Sequence, residues 1–168
     1  MKHHEHFMQI ALDEAGIALD ANEFPVGCVL VLRDKVIAKG RRTNSLVKTV
    51  NELDHAEITA LRNLGENHVD TDRSEIIAYT TMEPCLMCYS ALLLNGIRTI
   101  VYGYEDAMGG GTSLPLNLLN PLYKQMKVLL IPHVLRNKSL ELFKKFFSNP
   151  ENKYRKGSLL AKYTLAQP

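Results

Sequence analysis

The sequence predicts an α/β fold, a three-layer α/β/α sandwich with a mixed central sheet of about five strands. Three observations lead there. A helical stretch and then a hairpin open the chain, strand-like and helix-like segments alternate after them, and Pro or Gly punctuates the junctions. Between Glu5 and Asp20, the residues Phe7, Met8, Ala11, Leu12, Ala15, Ala18 and Leu19 recur at helical spacing. Pro25 to Leu32 and Lys35 to Lys39 read as two strands joined at Arg33-Asp34. Gly40 to Leu53 is polar and irregular. A helix is expected from Asp54 or His55 to Leu64, with Gly65 as its stop.

Glu75 to Thr81 reads as a strand. Pro84 is expected to open a helix that runs to Leu94 and closes at Asn95-Gly96. Ile97 to Tyr104, rich in β-branched and aromatic residues, is the next strand. Met108 to Thr112 is a glycine-rich loop, Lys127 to Ile131 a short strand, and Leu135 to Phe147 a helix. The 168 residues fit one domain spanning 1–168, with 149–168 expected as a basic C-terminal tail helix.

Composition excludes several classes. No stretch approaches the roughly 20 apolar residues of a membrane span. The polar start Met-Lys-His-His-Glu-His lacks a signal-peptide core, so the expected compartment is the cytoplasm. Three cysteines do not close a disulfide framework, and in a reducing compartment they point to metal binding or catalysis. Cys28 stands apart in the apolar run Val26 to Leu32 and reads as a small core hydrophobe. The net charge is only +2, yet from Arg136 onward eight Lys/Arg face two Asp/Glu. That surplus fits phosphate contact, and equally a solvated basic helix. His3, His4 and His6 read as an exposed polar terminus. Met82, Met87 and Leu92-Leu93-Leu94 read as core.

Two short motifs carry the chemistry. His55-Ala56-Glu57 falls at one helix start and Pro84-Cys85-Leu86-Met87-Cys88 at another. A lone His-x-Glu means little, and a lone Cys-x-x-Cys is often a redox pair or half a structural zinc site. Together they are specific. Cysteines at i and i+3 share a helix face, and the helix N-terminus favours the thiolates zinc requires. Sulfur with imidazole suits Zn2+ over magnesium or calcium, and His55 supplies a third ligand. No second Cys pair closes the shell, and His133, which follows Pro132, lacks paired spacing. A zinc site with an open position lowers the pKa of bound water to roughly 7. Glu57, two residues past the histidine, is then placed to act as general acid and base. Its alternative reading is a solvated acid at a helix start.

At these residues the sequence resembles the cytidine and deoxycytidylate deaminase superfamily of zinc-dependent nucleobase deaminases. Pro25-Val26-Gly27, His55-Ala56-Glu57-Ile58, Glu83-Pro84-Cys85-Leu86-Met87-Cys88 and Val101-Tyr102-Gly103 carry the likeness, which runs from Ala11 to Phe147 in order and spacing. It is most similar to the branch of tRNA adenosine deaminases. The resemblance implies a cytidine-deaminase-like fold, one Zn2+ per subunit, a homodimer, and a substrate nucleotide flipped from the tRNA anticodon loop. It implies further that Asn44 hydrogen-bonds the substrate and that the carbonyl of Glu83 accepts from its amine. Backbone N–H groups near Ala56 and Cys85 would hold the base edge, while Asp106 and Phe147 would contact the nucleotide.

The chain departs from that branch in three places. Glu52-Leu53-Asp54 stands where Asp-Pro-Thr-Ala is usual, and Gln125-Met126-Lys127 where Asn-His-Arg is frequent. The tail from Asn149, with Tyr154, Arg155, Lys156 and Lys162, runs past the typical core. Three readings follow. The first is deamination of wobble adenosine in tRNA. The second is deamination of a free base or nucleoside such as cytosine or guanine, with the C-terminal segment folded over the pocket through Phe143, Phe146, Phe147 and Tyr154. The third is an inactive, zinc-stabilised binding module, against which the presence of Glu57 weighs.

Overall fold

The computed structural model describes residues 2–46, 48, 50–67 and 72–168. Met1 of the polar N-terminus and Val47 and Thr49 of the irregular segment lie outside that description. A five-stranded sheet runs through it in the order β2-β1-β3-β4-β5. The strands are β1 Gly27–Leu32, β2 Lys35–Arg41, β3 Ile77–Met82, β4 Thr99–Tyr104 and β5 Leu129–Ile131. β1 pairs antiparallel with both β2 and β3, whereas β3, β4 and β5 are parallel, so the sheet is mixed as expected.

The two faces of the sheet are written in alternate residues. Val29, Val31, Tyr79 and Val101 pack with Phe7, Met8, Ala11 and Leu12 of α1, Lys2–Asp20. Cys28, Leu30, Ala78 and Ile100 point the other way and pack with α2, Ala56–Asn67, and α3, Leu86–Leu94. This period of two is what a strand buried on both faces produces, and it makes the three layers. Cys28, fully buried, is core, as its apolar neighbours imply, and burial pushes its thiol up. At the hairpin, Arg33 and Asp34 both take positive φ (47° and 62°), the two-residue turn whose twist matches the strands.

Helix ends depart from the sequence reading in instructive ways. Gly65 does not stop α2, which continues to Asn67; one glycine costs a helix only about 1 kcal/mol relative to alanine. Pro84 lies just outside α3, whose N-cap is Cys85. Asn95-Gly96 does close it: the Gly96 amide donates to Leu93 and the Ile97 amide to Leu92, with Gly96 at φ 88°.

The C-terminal segment differs most. After the four-residue α4, Pro121–Lys124, comes α5, Arg136–Ser148, but 149–158 forms turns and only α6, Leu159–Ala166, is helical. Of the tail cations, Lys153, Arg155 and Lys156 sit in the turns and only Lys162 on α6. Asn149 and Asn152 bend the chain by accepting from the amides of Glu151 and Tyr154, which favours turn over helix. α6 is firmly docked. Leu160, Ala161 and Thr164 are buried, and the Tyr104 hydroxyl donates to Thr164 Oγ1 at 3.2 Å. Glu105 accepts from Arg136 Nε at 2.8 Å and from the Tyr163 hydroxyl at 2.8 Å. Lys144 Nζ reaches the carbonyls of Gln167 and Pro168.

Two outcomes test this frame. A Cβ on Gly40 would overlap the Ala56 carbonyl and the Ala60 amide, because β2 and α2 touch backbone to backbone there. Gly40→Ala is expected to cost about 1–3 kcal/mol of stability, read from a denaturant melt. At Glu105, burial pushes the carboxyl up, but Arg136 and Tyr163 outweigh it and hold it at about 2, below its ordinary 4.5. The stabilisation is therefore complete above pH 4.5 and is lost as pH falls from 4.5 towards 2. Tyrosine fluorescence is expected to report α6 undocking across that window, and Glu105→Gln to remove this part of the acid dependence.

Candidate active site

Two helix N-termini and one strand end meet at a small cleft. His55 immediately precedes α2, and its carbonyl accepts from the Thr59 amide. Cys85 caps α3 with extended dihedrals, φ −66° and ψ 169°, and Cys88 lies in that helix's first turn. The positive ends of both helices thus converge on the same point, a setting that favours anionic ligands. His55 Nδ1 lies 3.6 Å from Cys85 Sγ and 3.4 Å from Cys88 Sγ. The three ligand atoms fall within 4.8 Å of one another. A tetrahedral zinc with legs of about 2.1 Å to nitrogen and about 2.3 Å to sulfur requires edges of about 3.6 Å, so the donors fit the ion.

The thiols are coupled. Cys85 is held down to about 4, first by its hydrogen bond with Cys88 and next by His55, while the same partnership and burial drive Cys88 up. For His55, burial pushes the pKa down and the neighbouring Cys85 and Glu57 outweigh it upward. A bound divalent cation favours both thiolates and neutral imidazole. Glu57, in the first turn of α2, is 3% exposed and accepts from Thr80 Oγ1 at 3.1 Å. Burial raises its pKa, opposed by His55. A buried carboxylate held by one hydroxyl at a helix start is not the solvated acid of the alternative reading.

The cleft encloses about 120 Å³ and is lined by Phe24, Val26, Arg42, His55, Ala56, Glu57, Met82, Glu83, Cys85, Asp106, Met108, Gly109, Tyr154, Arg155 and Leu160. Its floor against α3 is the glycine-rich turn. Asp106 Oδ1 accepts from the amides of Met108 and Gly109, both at 2.9 Å. Burial pushes the Asp106 carboxyl up, against those two bonds. The Glu83 side chain accepts from the Asp106 amide and from Thr112 Oγ1, so it braces the turn. The Gly111 amide donates to the Pro84 carbonyl, and a Cβ on Gly111 would lie 2.6 Å from Leu86 Cα. Backbone therefore packs on backbone beside the cysteines.

Seven of the nine residues singled out from the sequence come together here: Ala56, Glu57, His55, Glu83, Cys85 and Asp106 line the cleft, and Cys88 stands behind it. The other two do not. Asn44 is exposed, at φ 54°, and its Nδ2 donates to Asp54 Oδ2 at 2.7 Å. Its loop is knit by that carboxylate, which also accepts from Asn51, and Asn44 is not part of the cleft lining. Phe147 packs 6.0 Å from Phe24 and 5.5 Å from Phe146, and it is Tyr154 that lines the cleft.

The sequence reading missed Arg42 and Glu52 outright, although the departure at Glu52-Leu53-Asp54 marked the place. Arg42 is 2% exposed and donates to the Asn51 carbonyl at 2.9 Å and to Glu52 Oε2 at 3.2 Å. Tyr154, Arg155 and Leu160 bring the tail into the wall.

The family model for the cytidine and deoxycytidylate deaminase zinc-binding region matches residues 1–104, which contain His55, Glu57, Cys85 and Cys88. The chain belongs to this family. It is a zinc-dependent enzyme that hydrolytically deaminates a nucleobase. The chain is 31% identical over 153 residues to a tRNA-specific adenosine deaminase of Buchnera aphidicola subsp. Schizaphis graminum, covering 86% of this chain and 93% of that one.

A structure from a study of A-to-I editing by tRNA:A34 deaminases at the wobble position superposes with a TM-score of 0.71. It is 30% identical and covers 82% of this chain and 98% of that chain. A guanine deaminase from Nitrosomonas europaea shares the fold, with a TM-score of 0.68 at 23% identity, over 84% of this chain and 83% of that chain.

In this deaminase, Cys88→Ser is expected to leave the fold intact and to lower zinc occupancy at least tenfold at limiting metal. Elemental analysis showing stoichiometric zinc in the variant would overturn the ligand assignment.

Proposed function

We propose that the deaminase converts the wobble adenosine of a tRNA anticodon loop to inosine, with release of ammonia. The observation that carries this reading is the likeness to the tRNA-specific adenosine deaminase of Buchnera, which extends over 93% of that relative and so past the metal motif. His55, Cys85 and Cys88 would hold the zinc, which would supply Lewis acidity and an activated water. Glu57 takes one proton from the attacking water and passes it to the ring nitrogen. It then takes the second from the newly added hydroxyl and passes it to the amine, which leaves as ammonia. Its position supports that role: the buried carboxylate lies in the first turn of α2, two residues past His55. Thr80 fixes the carboxylate on the α2 side of the cleft. The Glu83 carbonyl and the backbone at Ala56 and Cys85 orient the base, and Asp106 holds the turn that lines its cleft.

Residues 1–168 act as one deaminase unit, as a homodimer in the cytoplasm. Among the described residues no helix is long and apolar enough to cross a membrane. The exposed side chains of Leu53, Leu86, Leu118 and Leu122 offer apolar surface to a second copy.

A second reading has its own support. The tail residues Tyr154, Arg155 and Leu160 wall the cleft, whose 120 Å³ holds about four waters' worth of space. Such a site suits a free base, whose entry asks less of the tail than a nucleotide flipped out of RNA.

Product analysis by mass spectrometry separates the two. The zinc-loaded enzyme would be offered an adenosine-containing anticodon stem-loop, free adenine, cytosine and guanine, and their nucleosides, with Glu57→Ala as blank. Inosine in the RNA alone is the expected outcome. Conversion of a free base with untouched RNA would replace the first reading with the second. Glu57→Ala is expected to lose at least about a hundredfold in turnover with zinc retained.

A further inference from the structure

Glu52 gathers more partners than any other exposed acid described in the site, and they come from opposite ends of the chain. Its carboxylate lies 3.5 Å from His55 Nε2, at the outer edge of hydrogen-bonding range. It accepts from Arg42 Nη2 at 3.2 Å, from the Tyr154 hydroxyl at 3.0 Å, and from Arg155 Nη2 at 3.3 Å. Two guanidinium groups also flank the Tyr154 ring, Arg42 at 5.7 Å and Arg155 at 5.4 Å from its centroid. The Glu52 side chain is 46% exposed, so its carboxylate both pairs with the buried Arg42 and faces outward to the other partners.

The orientation of His55 gives this cluster its meaning. Nδ1 faces both cysteine sulfurs, which leaves Nε2 as the ring's free end, and Nε2 faces Glu52. An imidazole that binds metal through one nitrogen is fixed in tautomer and angle by an acceptor at the other, and is made a stronger ligand by it. Glu52 itself is fixed from two sides. Arg42, almost fully buried and tied to the Asn51 carbonyl, is the permanent anchor. Tyr154 and Arg155 belong to the turn segment between α5 and α6, where Arg155 takes φ 55° and Gly157 φ 72°.

We propose that Glu52 is a positioning residue for the metal ligand His55, and that the tail segment, through Tyr154 and Arg155, holds Glu52 in that position. The wall of the substrate cleft and the orientation of a metal ligand are thereby one connected unit. When the segment lies across the cleft, Glu52 is pinned and His55 is held. When it lifts, Glu52 keeps only Arg42 and is free to swing off the ring. The inference rests on His55 binding zinc, and not on which base is the substrate.

The test measures zinc transfer from the loaded full-length enzyme to a chromogenic chelator, followed by absorbance with no substrate present. Four variants are compared with the parent: Glu52→Ala, Glu52→Gln, the double variant Tyr154→Phe/Arg155→Met, and His55→Ala. Outer acceptors of metal-binding histidines are typically worth 10–100-fold in affinity, so Glu52→Ala is expected to release zinc at least about tenfold faster. Glu52→Gln, which retains an acceptor oxygen, is expected to fall between Glu52→Ala and the parent. The double variant leaves Glu52 in place and is expected to shift release in the same direction, by at least about threefold.

Melting of the metal-free proteins controls for general unfolding. If Glu52→Ala destabilises the metal-free fold, the decision passes to the double variant. Zinc release within twofold of the parent in both Glu52→Ala and the double variant overturns the proposal. Faster release in Glu52→Ala alone overturns the part assigned to the tail. Retention of zinc by His55→Ala removes the ligand reading beneath the proposal, and the two failures are thus told apart.

Discussion

Everything in this deaminase depends on two helix N-termini arriving at one point. The ligands His55 and Cys85 cap different helices, from opposite sides of a long stretch of chain, and zinc chemistry tolerates little error in where they meet. The accuracy comes from backbone, not from side-chain bulk. Gly40 lets β2 lie directly on the first turns of α2 at Ala56 and Ala60. Gly111 does the same for the start of α3, and Glu83 locks the glycine-rich turn that carries it. Close contact between main chains is stiff, because neither partner has rotamers to relax through. Both helix dipoles then act on the same small volume, where charge is least screened by water.

The legible part of the structure was the part written in local pattern. The hairpin, the strands β1, β3 and β4, and the pairing of His55 with Cys85 and Cys88 depend on residues close in sequence or on motif chemistry. What stayed hidden depends on long-range packing. No spacing rule says that Tyr154 lies against Glu52, or that Arg42 is buried beneath both. Helix ends slipped for a related reason: Gly65 marks a stop by propensity, but a helix packed on β2 carries one glycine with little loss.

Phe147 and Asn44 show what a resemblance carries over and what it leaves to the surrounding structure. Both match their family positions in spacing, and both stand outside the cleft lining. Tyr154 lines the cleft beside Phe24, and Asp54 accepts from the Asn44 amide. The donors His55, Cys85 and Cys88 come together whichever way those two side chains lie.

The order in which the parts of the site occur along the chain has a consequence for biosynthesis. His55, Cys85 and Cys88 all leave the ribosome well before Tyr154, Arg155 and Leu160, at a pace of about 5–20 residues per second. For several seconds the nascent chain therefore carries the complete ligand set with no tail to roof it. Access to the three donors is least obstructed during that interval, before Tyr154, Arg155 and Leu160 wall the cleft.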